Sequence, residues 1–174
     1  MEGFLNPKEI LTNLDLKKWF SAADFGSGSG GWAIPLAKRL TDGKVYAIDI
    51  LEEPLSALKN KSGVEDIVNI ETIRSDIESK NGSTLKDNYL DLVLITNLLF
   101  QVKDKKLVLA ESERVLKNGG KVLVIDWNPE ATIGPEGKRI SPEEVKKLAK
   151  ETGFNLEKEF KAGDYHYALL FTKV

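Results

Sequence analysis

The chain has 174 residues, enough to bury the core of one globular domain, and 25 Lys+Arg against 27 Asp+Glu leave a net charge of −2. That balance argues against nucleic-acid binding through bulk positive charge. The chain contains no cysteine, which excludes disulfides, thiolate catalysis and Cys-ligated metal centres; one histidine and scattered carboxylates offer no other metal-ligand spacing.

Met1 to Ile10 has Glu2, Lys8 and Glu9 among its apolar residues, so no secretory signal is expected. No apolar run approaches the roughly 20 residues that span a bilayer, and the expectation is a soluble, cytoplasmic protein with no membrane partner. Asn6-Pro7-Lys8-Glu9 offers an N-cap, a proline at the first helical position and an acid in the first turn, predicting a short leading helix. Strand-like runs follow at Ser21–Phe25, Lys44–Ile50, Val68–Ile73, Leu90–Thr96 and Lys121–Trp127. Between them lie helical spacings. One places Trp32, Leu36 and Leu40 on a face beside Ala33 and Ala37; another runs from about Asp104 to Lys117 and stops at Asn118-Gly119-Gly120. Ser141-Pro142-Glu143-Glu144 fits a capping box for a helix ending near Gly153. Phe154–Phe160 and His166–Lys173, joined by a short turn, then read as an antiparallel hairpin. The alternation predicts an α/β fold: one domain over residues 1–174, a mostly parallel sheet with helices on both faces.

The segment richest in chemistry is Asp24-Phe25-Gly26-Ser27-Gly28-Ser29-Gly30-Gly31, between the first strand and a helix. Glycines there allow a tight turn and let backbone approach a ligand, and a following helix N-terminus suits an anionic group. No Gly-Lys-Ser/Thr follows, which excludes a phosphate-cradling P-loop. Gly26, Gly28 and Gly30 have methyltransferase spacing, whereas Gly26, Gly28 and Gly31 have dinucleotide spacing; the glycines alone leave both open. Asp49 ends the second strand, where a carboxylate accepts ribose hydroxyls in either case. Asp76 ends the third strand and could accept an adenine amino group, with Ile77 on the ring. Asp24 lies within a strand, where a carboxylate is costly without a partner such as a ligand's amino group.

In these segments the chain resembles the class I S-adenosylmethionine (SAM)-dependent methyltransferases. The resemblance extends through Ser75-Asp76-Ile77, Leu90–Val93 leading to Thr96-Asn97-Leu98-Leu99-Phe100, and Glu113–Lys121, and covers roughly Ser21 to the C-terminus. Among the subfamilies it looks nearest to small C-methyltransferase-like members related to quinone-biosynthesis enzymes. The resemblance implies a Rossmann-like three-layer sandwich whose seven-stranded sheet ends in an antiparallel strand, with SAM as cofactor. Asp24, Gly26, Ser27, Gly28 and Gly30 would hold its methionine end, Asp49 and Ile50 the ribose, Asp76 and Ile77 the adenine. Thr96 and Asn97 would lie beside the sulfur. Thr96-Asn97-Leu98-Leu99 departs from Asn/Asp-Pro-Pro-Tyr, which argues against methylation of planar amide or adenine nitrogens.

Methyl transfer from a sulfonium needs alignment and exclusion of water, with a base only for an acceptor proton of high pKa. The catalytic candidates are His166, the sole histidine, as base, and Asp126, at the end of the fifth strand, to orient the acceptor. Trp127 could line the acceptor pocket, and the Pro/Gly-containing loop Asn128–Ile140 could cover it. A small-molecule acceptor is favoured over a protein. The competing readings are an NAD(P)-dependent oxidoreductase, opposed by the absence of a Tyr-x-x-x-Lys pair, and a non-catalytic SAM-binding partner subunit.

Overall fold

A computed structural model describes residues 5–174; Met1–Phe4, which the signal-peptide reading took in, lie outside the described residues. In chain order the elements are α1 (Pro7–Ile10) with a 3-10 turn (Leu11–Asn13), β1 (Ser21–Phe25), α2 (Ala33–Arg39), β2 (Lys44–Asp49), α3 (Glu52–Val64), β3 (Ile70–Arg74), β4 (Leu90–Thr96), α4 (Lys105–Val115), β5 (Leu116–Trp127), α5 (Pro142–Glu151), β6 (Phe154–Ala162) and β7 (His166–Lys173). The predicted caps form: the Asn6 side chain accepts from the Glu9 N–H, and Ser141 Oγ accepts from Glu144 N–H at 3.2 Å.

The strands make one sheet in the order β3-β2-β1-β4-β5-β7-β6. β1 to β5 pair in parallel, and β7 is inserted antiparallel between β5 and β6. This is the predicted seven-stranded, mostly parallel sheet with a reversed last strand. Strand order reverses between β1 and β4, so the crevice where such sheets bind ligands opens at the carboxyl ends of these two strands. Side chains alternate between two cores. Ala23, Phe25, Val93, Ile95, Val122 and Val124 face α4 and α5. Ala22, Leu92, Leu94, Leu123, Ile125 and Ala168 face α1 and α2. The predicted apolar stripe of α2 is buried, with Ala33, Leu36 and Leu40 fully so. Among the described residues no helix is long and apolar enough to cross a membrane.

Several boundaries differ from the sequence reading, among them the end of α4 and both ends of β3. The α4 helix stops at Val115, because Leu116 is extended (φ −74°, ψ 140°) and pairs with Leu90. Pairing resumes at Lys121 opposite Leu92, so Lys117–Gly120 bulge out, with Gly119 at φ +75°. The glycines therefore shape a bulge. The helix end is closed instead by buried Lys173 of β7, whose Nζ donates to the carbonyls of Glu113 and Leu116 at 2.8 and 2.9 Å. β3 begins at Ile70 rather than Val68; just before it, the Asn69 side chain donates to the carbonyls of Ala37 and Leu40 at the end of α2. It ends at Arg74, leaving Asp76 two residues beyond it.

Candidate active site

The turn after β1 adopts the conformation that only glycine takes easily at three alternate positions: Gly26 (φ +73°), Gly28 (φ +51°) and Gly30 (φ +89°). A Cβ on Gly30 would lie 2.3 Å from Leu58 Cδ1, whereas one on Gly31 would meet nothing within 4 Å. Close packing thus falls on Gly30, and Gly31 does not fill the part of the third dinucleotide glycine. The N–H groups of Gly26 and Ser27 both donate to the Ile48 carbonyl, at 2.8 and 3.0 Å. Gly28 donates to Asp49 Oδ2 at 2.8 Å, and Asp49 Oδ1 accepts from Leu51 N–H at 3.0 Å. The Asp49 carboxylate is thereby held by backbone N–H groups of the glycine turn and of the segment that follows β2.

These groups border a cleft of about 410 Å³, within the range of small-ligand sites. Gly26 and Gly28 form its floor, Asp49, Ile50 and Leu51 one wall, and Asp76, Ile77 and Glu78 another. Ile50 and Leu51 are 55% and 60% exposed, apolar surface that a bound ring and ribose would cover. Asp76 Oδ1 accepts from Glu78 N–H at 2.9 Å, the turn role that competes with ligand binding for this residue. The segment beyond it is anchored from below: Ser83 donates through both N–H and hydroxyl to buried Glu111, itself paired with Arg114.

Among the described residues, the buried side-chain polar atoms without partners, apart from Ser62 Oγ in α3, lie at the same edge of the sheet. Both carboxyl oxygens of Asp24, Ser27 Oγ, Asn97 Oδ1 and both ring nitrogens of His166 make no hydrogen bond. Asp24 is fully buried, on the face shared with Ala22. Its pKa is raised to about 8, chiefly by burial and then by the charge of Asp49; the Ala33 N–H, which faces it without closing a hydrogen bond, opposes the rise. An orphaned carboxyl and a hydroxyl beside the glycine turn fit the ammonium and carboxylate of a methionine moiety. Thr96, nearly buried, ends β4 next to this turn, and Asn97 follows at φ +50°.

The structure does not bring the two catalytic candidates together. His166 pairs with Trp127 and Asp126 with Tyr167, so Asp126 and His166 point to opposite faces of the sheet. Asp126 accepts from the N–H groups of Trp127 (2.8 Å) and Phe100 (3.2 Å), holding the segment after β4 in place. Burial raises its pKa to about 6, against those N–H groups. His166 packs against Trp127 with the rings tilted by 41°, centroids 4.0 Å apart, and its pKa is lowered to about 4 by burial and then by Arg139. It is a neutral imidazole at physiological pH.

Three residues of the site were not singled out in the sequence, although Leu98 lies in the Thr96–Phe100 segment that carries the resemblance. Leu98 packs over Gly26, its Cδ1 lying 3.0 Å from where a Cβ would stand, and Gln101 lines the cleft. Glu78 accepts from Lys103 and Asp104 N–H at 2.7 and 2.9 Å, joining the walls contributed after β3 and β4. None belongs to a spacing pattern; only the strand order makes them neighbours.

Known proteins share both sequence and architecture. The family model for a methyltransferase domain matches residues 23–124. A demethylmenaquinone methyltransferase from Bacillus mycoides is 34% identical over 128 residues, which are 73% of this chain and 53% of that protein. The chain thus spans about half the length of the curated relatives it matches. A SAM-dependent methyltransferase from Aquifex aeolicus superposes with a TM-score of 0.84 at 26% identity, over 98% of this chain and 91% of that one. A protein assigned as a type 11 methyltransferase from Sulfolobus solfataricus gives 0.77 at 29% identity, over 98% and 93%. The chain belongs to the class I SAM-dependent methyltransferases, and its cofactor is S-adenosylmethionine. The NAD(P) oxidoreductase reading is not favoured, in keeping with the glycine register.

Asp49→Ala removes a carboxylate from the wall of the cleft together with the bond from Gly28. Affinity for S-adenosylhomocysteine is expected to fall by about 1–3 kcal/mol, measured by calorimetry. Unchanged affinity would remove Asp49 from the site.

Proposed function

We propose that this chain transfers the SAM methyl group to a small molecule, of the hydroquinone class that the names of its Bacillus relatives point to, and that it does so in the cytoplasm as a single domain over residues 1–174. The observation that carries the reading is the row of partnerless buried polar groups, Asp24, Ser27, Asn97 and His166, running from the glycine turn toward β7. The cofactor, when bound, supplies an electrophilic methyl on a sulfonium. Asp24, Gly26, Ser27, Gly28 and Gly30 hold its methionine end, Asp49 and Ile50 the ribose, and Asp76 and Ile77 the adenine, with Thr96 and Asn97 beside the sulfur. The acceptor enters from the Trp127 side. A small-molecule acceptor is supported by the relatives' names.

His166 serves as proton acceptor if the acceptor hydroxyl must ionise. Its neutral state and unengaged nitrogens allow this, and its low pKa limits its strength as a base. Asp126, both of whose oxygens accept backbone N–H groups, orients the acceptor side by fixing the segment after β4.

The test is transfer of label from methyl-tritiated SAM to a reduced demethylated naphthoquinone. Incorporation is expected in the wild type. His166→Gln is expected to keep S-adenosylhomocysteine affinity within twofold while lowering turnover by about 10²-fold or more. Equal turnover would make His166 a packing residue. Tight cofactor binding with no incorporation across quinol, phenol and peptide acceptors would favour a non-catalytic SAM-binding subunit.

A further inference from the structure

The segment between β5 and α5 is organised by one side chain. Arg139 donates from Nη1 to the carbonyls of Asn128 (3.1 Å) and Ala131 (2.7 Å), and from Nη2 to those of Ile133 (2.8 Å) and Pro135 (3.3 Å). A guanidinium that gathers four carbonyls ties a loop into one compact piece, which a lysine ammonium with its point charge cannot reproduce. The same guanidinium carbon lies 5.6 Å from the centroid of the Trp127 ring. Gly134 lies flat against that ring: a Cβ there would be 2.5 Å from Trp127 Cζ3, and its φ is +110°. Trp127 is therefore in contact with both the loop and the imidazole of His166.

His166 is 6% exposed and both its nitrogens are buried without partners. A buried imidazole with no hydrogen bond is a costly arrangement, and it sits at the carboxyl edge of the sheet, where ligands bind. Among charged groups around it, Arg139 is the one whose charge acts on it; Asp126 points to the opposite face, and Asp164 in the adjoining turn is paired with Lys161.

We infer that Arg139 is a positioning residue that latches residues 128–140 over the Trp127–His166 pair, and that the face this loop covers is where a planar aromatic acceptor enters. This rests on the proposed methyl transfer for its purpose but not for its test. With the latch closed, the imidazole and the indole are shielded from water; with it released, the acceptor ring reaches both.

The chain's single histidine makes the experiment direct. Diethyl pyrocarbonate modifies neutral imidazole and is followed at the absorbance of carbethoxyhistidine. In the wild type, His166 is expected to react at least tenfold more slowly than free imidazole. Arg139→Ala is expected to raise its rate at least tenfold, and Arg139→Lys to stay within threefold of the alanine variant, while S-adenosylhomocysteine affinity remains unchanged. Gly134→Ala, which props the loop away from Trp127, should have the same effect and serves if the arginine variant fails to fold. A fast reaction in the wild type, or no acceleration in either variant, overturns the latch. Wild-type behaviour of Arg139→Lys overturns the role of the four-carbonyl clasp. Finally, menadione, a planar naphthoquinone probe whose thiol chemistry is silent in this cysteine-free chain, is expected to protect His166 of Arg139→Ala at least threefold. No protection overturns the assignment of the covered face to an aromatic acceptor. Because no arm uses methyl transfer, an inactive enzyme with a working latch counts against the proposed function alone.

Discussion

Gly30→Ala is expected to destabilise the fold by about 2–5 kcal/mol and lower Tm by roughly 5–15 °C in thermal denaturation. Two costs combine. At φ +89° a Cβ meets the steric penalty of the left-handed region, of about 1–2 kcal/mol. The same Cβ would stand 2.3 Å from Leu58 Cδ1, and Leu58 is fully buried in the core on the α2 face. Overpacking against a buried core side chain of this kind costs about 1–3 kcal/mol. Gly31→Ala is the matched control, with open space around its Cβ and an expected change within about 0.5 kcal/mol. If the two variants were equally stable, the turn would not use the alternate-glycine register that distinguishes this site from a dinucleotide turn.

Asp24→Asn is expected to make the ligand-free protein more stable at pH 8 while weakening its hold on the cofactor. The folded carboxyl has its pKa raised to about 8, far above the unfolded value of about 3.9. The folded state therefore binds the proton more tightly, and the stability this group contributes, fully present below pH 4, is lost as pH rises through 8. Each pH unit in that window costs about 1.4 kcal/mol, so the limiting difference is of the order of 5 kcal/mol. Asparagine carries no such dependence. In urea titrations the variant should match the wild type near pH 4 and exceed it progressively toward pH 8. Asp126, also raised, loses its contribution between about pH 4 and 6, and His166, lowered to about 4, loses its contribution as pH falls from 6.5. Both groups are common to the two proteins, so the difference isolates Asp24. Cofactor affinity of the variant should fall by about 1.5–3 kcal/mol, the scale of a charged hydrogen bond. A wild-type stability curve parallel to that of the variant would show that Asp24 is not held as a neutral acid.

The scaffold was readable because its signals are local. Alternating β-branched runs and helical stripes predicted all seven strands and most of their ends, and Asn6 and Ser141 announced their helices through capping chemistry. The glycine turn was readable as a tight strand-to-helix turn but not in its register, since spacing cannot reveal which glycine meets Leu58. The end of α4 was misplaced for the same reason. Asn118-Gly119-Gly120 has the chemistry of a helix stop, yet Lys173, far along the chain, closes the helix at Val115 and frees the glycines for a bulge. His166 and Asp126 were singled out by residue type and strand-end position; that they face opposite ways follows only from the β5–β7 register. Glu78 and Arg139 act through backbone groups that folding brings to them, and no motif marks such residues in advance.

The central claim is that the cleft between the glycine turn and Asp49 seats S-adenosylmethionine. Calorimetric titration of the wild-type chain with S-adenosylhomocysteine, and separately with NAD, tests it most directly. One-to-one micromolar binding of S-adenosylhomocysteine, weakened at least fivefold by Asp49→Ala, with no heat from NAD, is the predicted result. Saturable NAD binding in its place, or S-adenosylhomocysteine binding indifferent to Asp49, would contradict it.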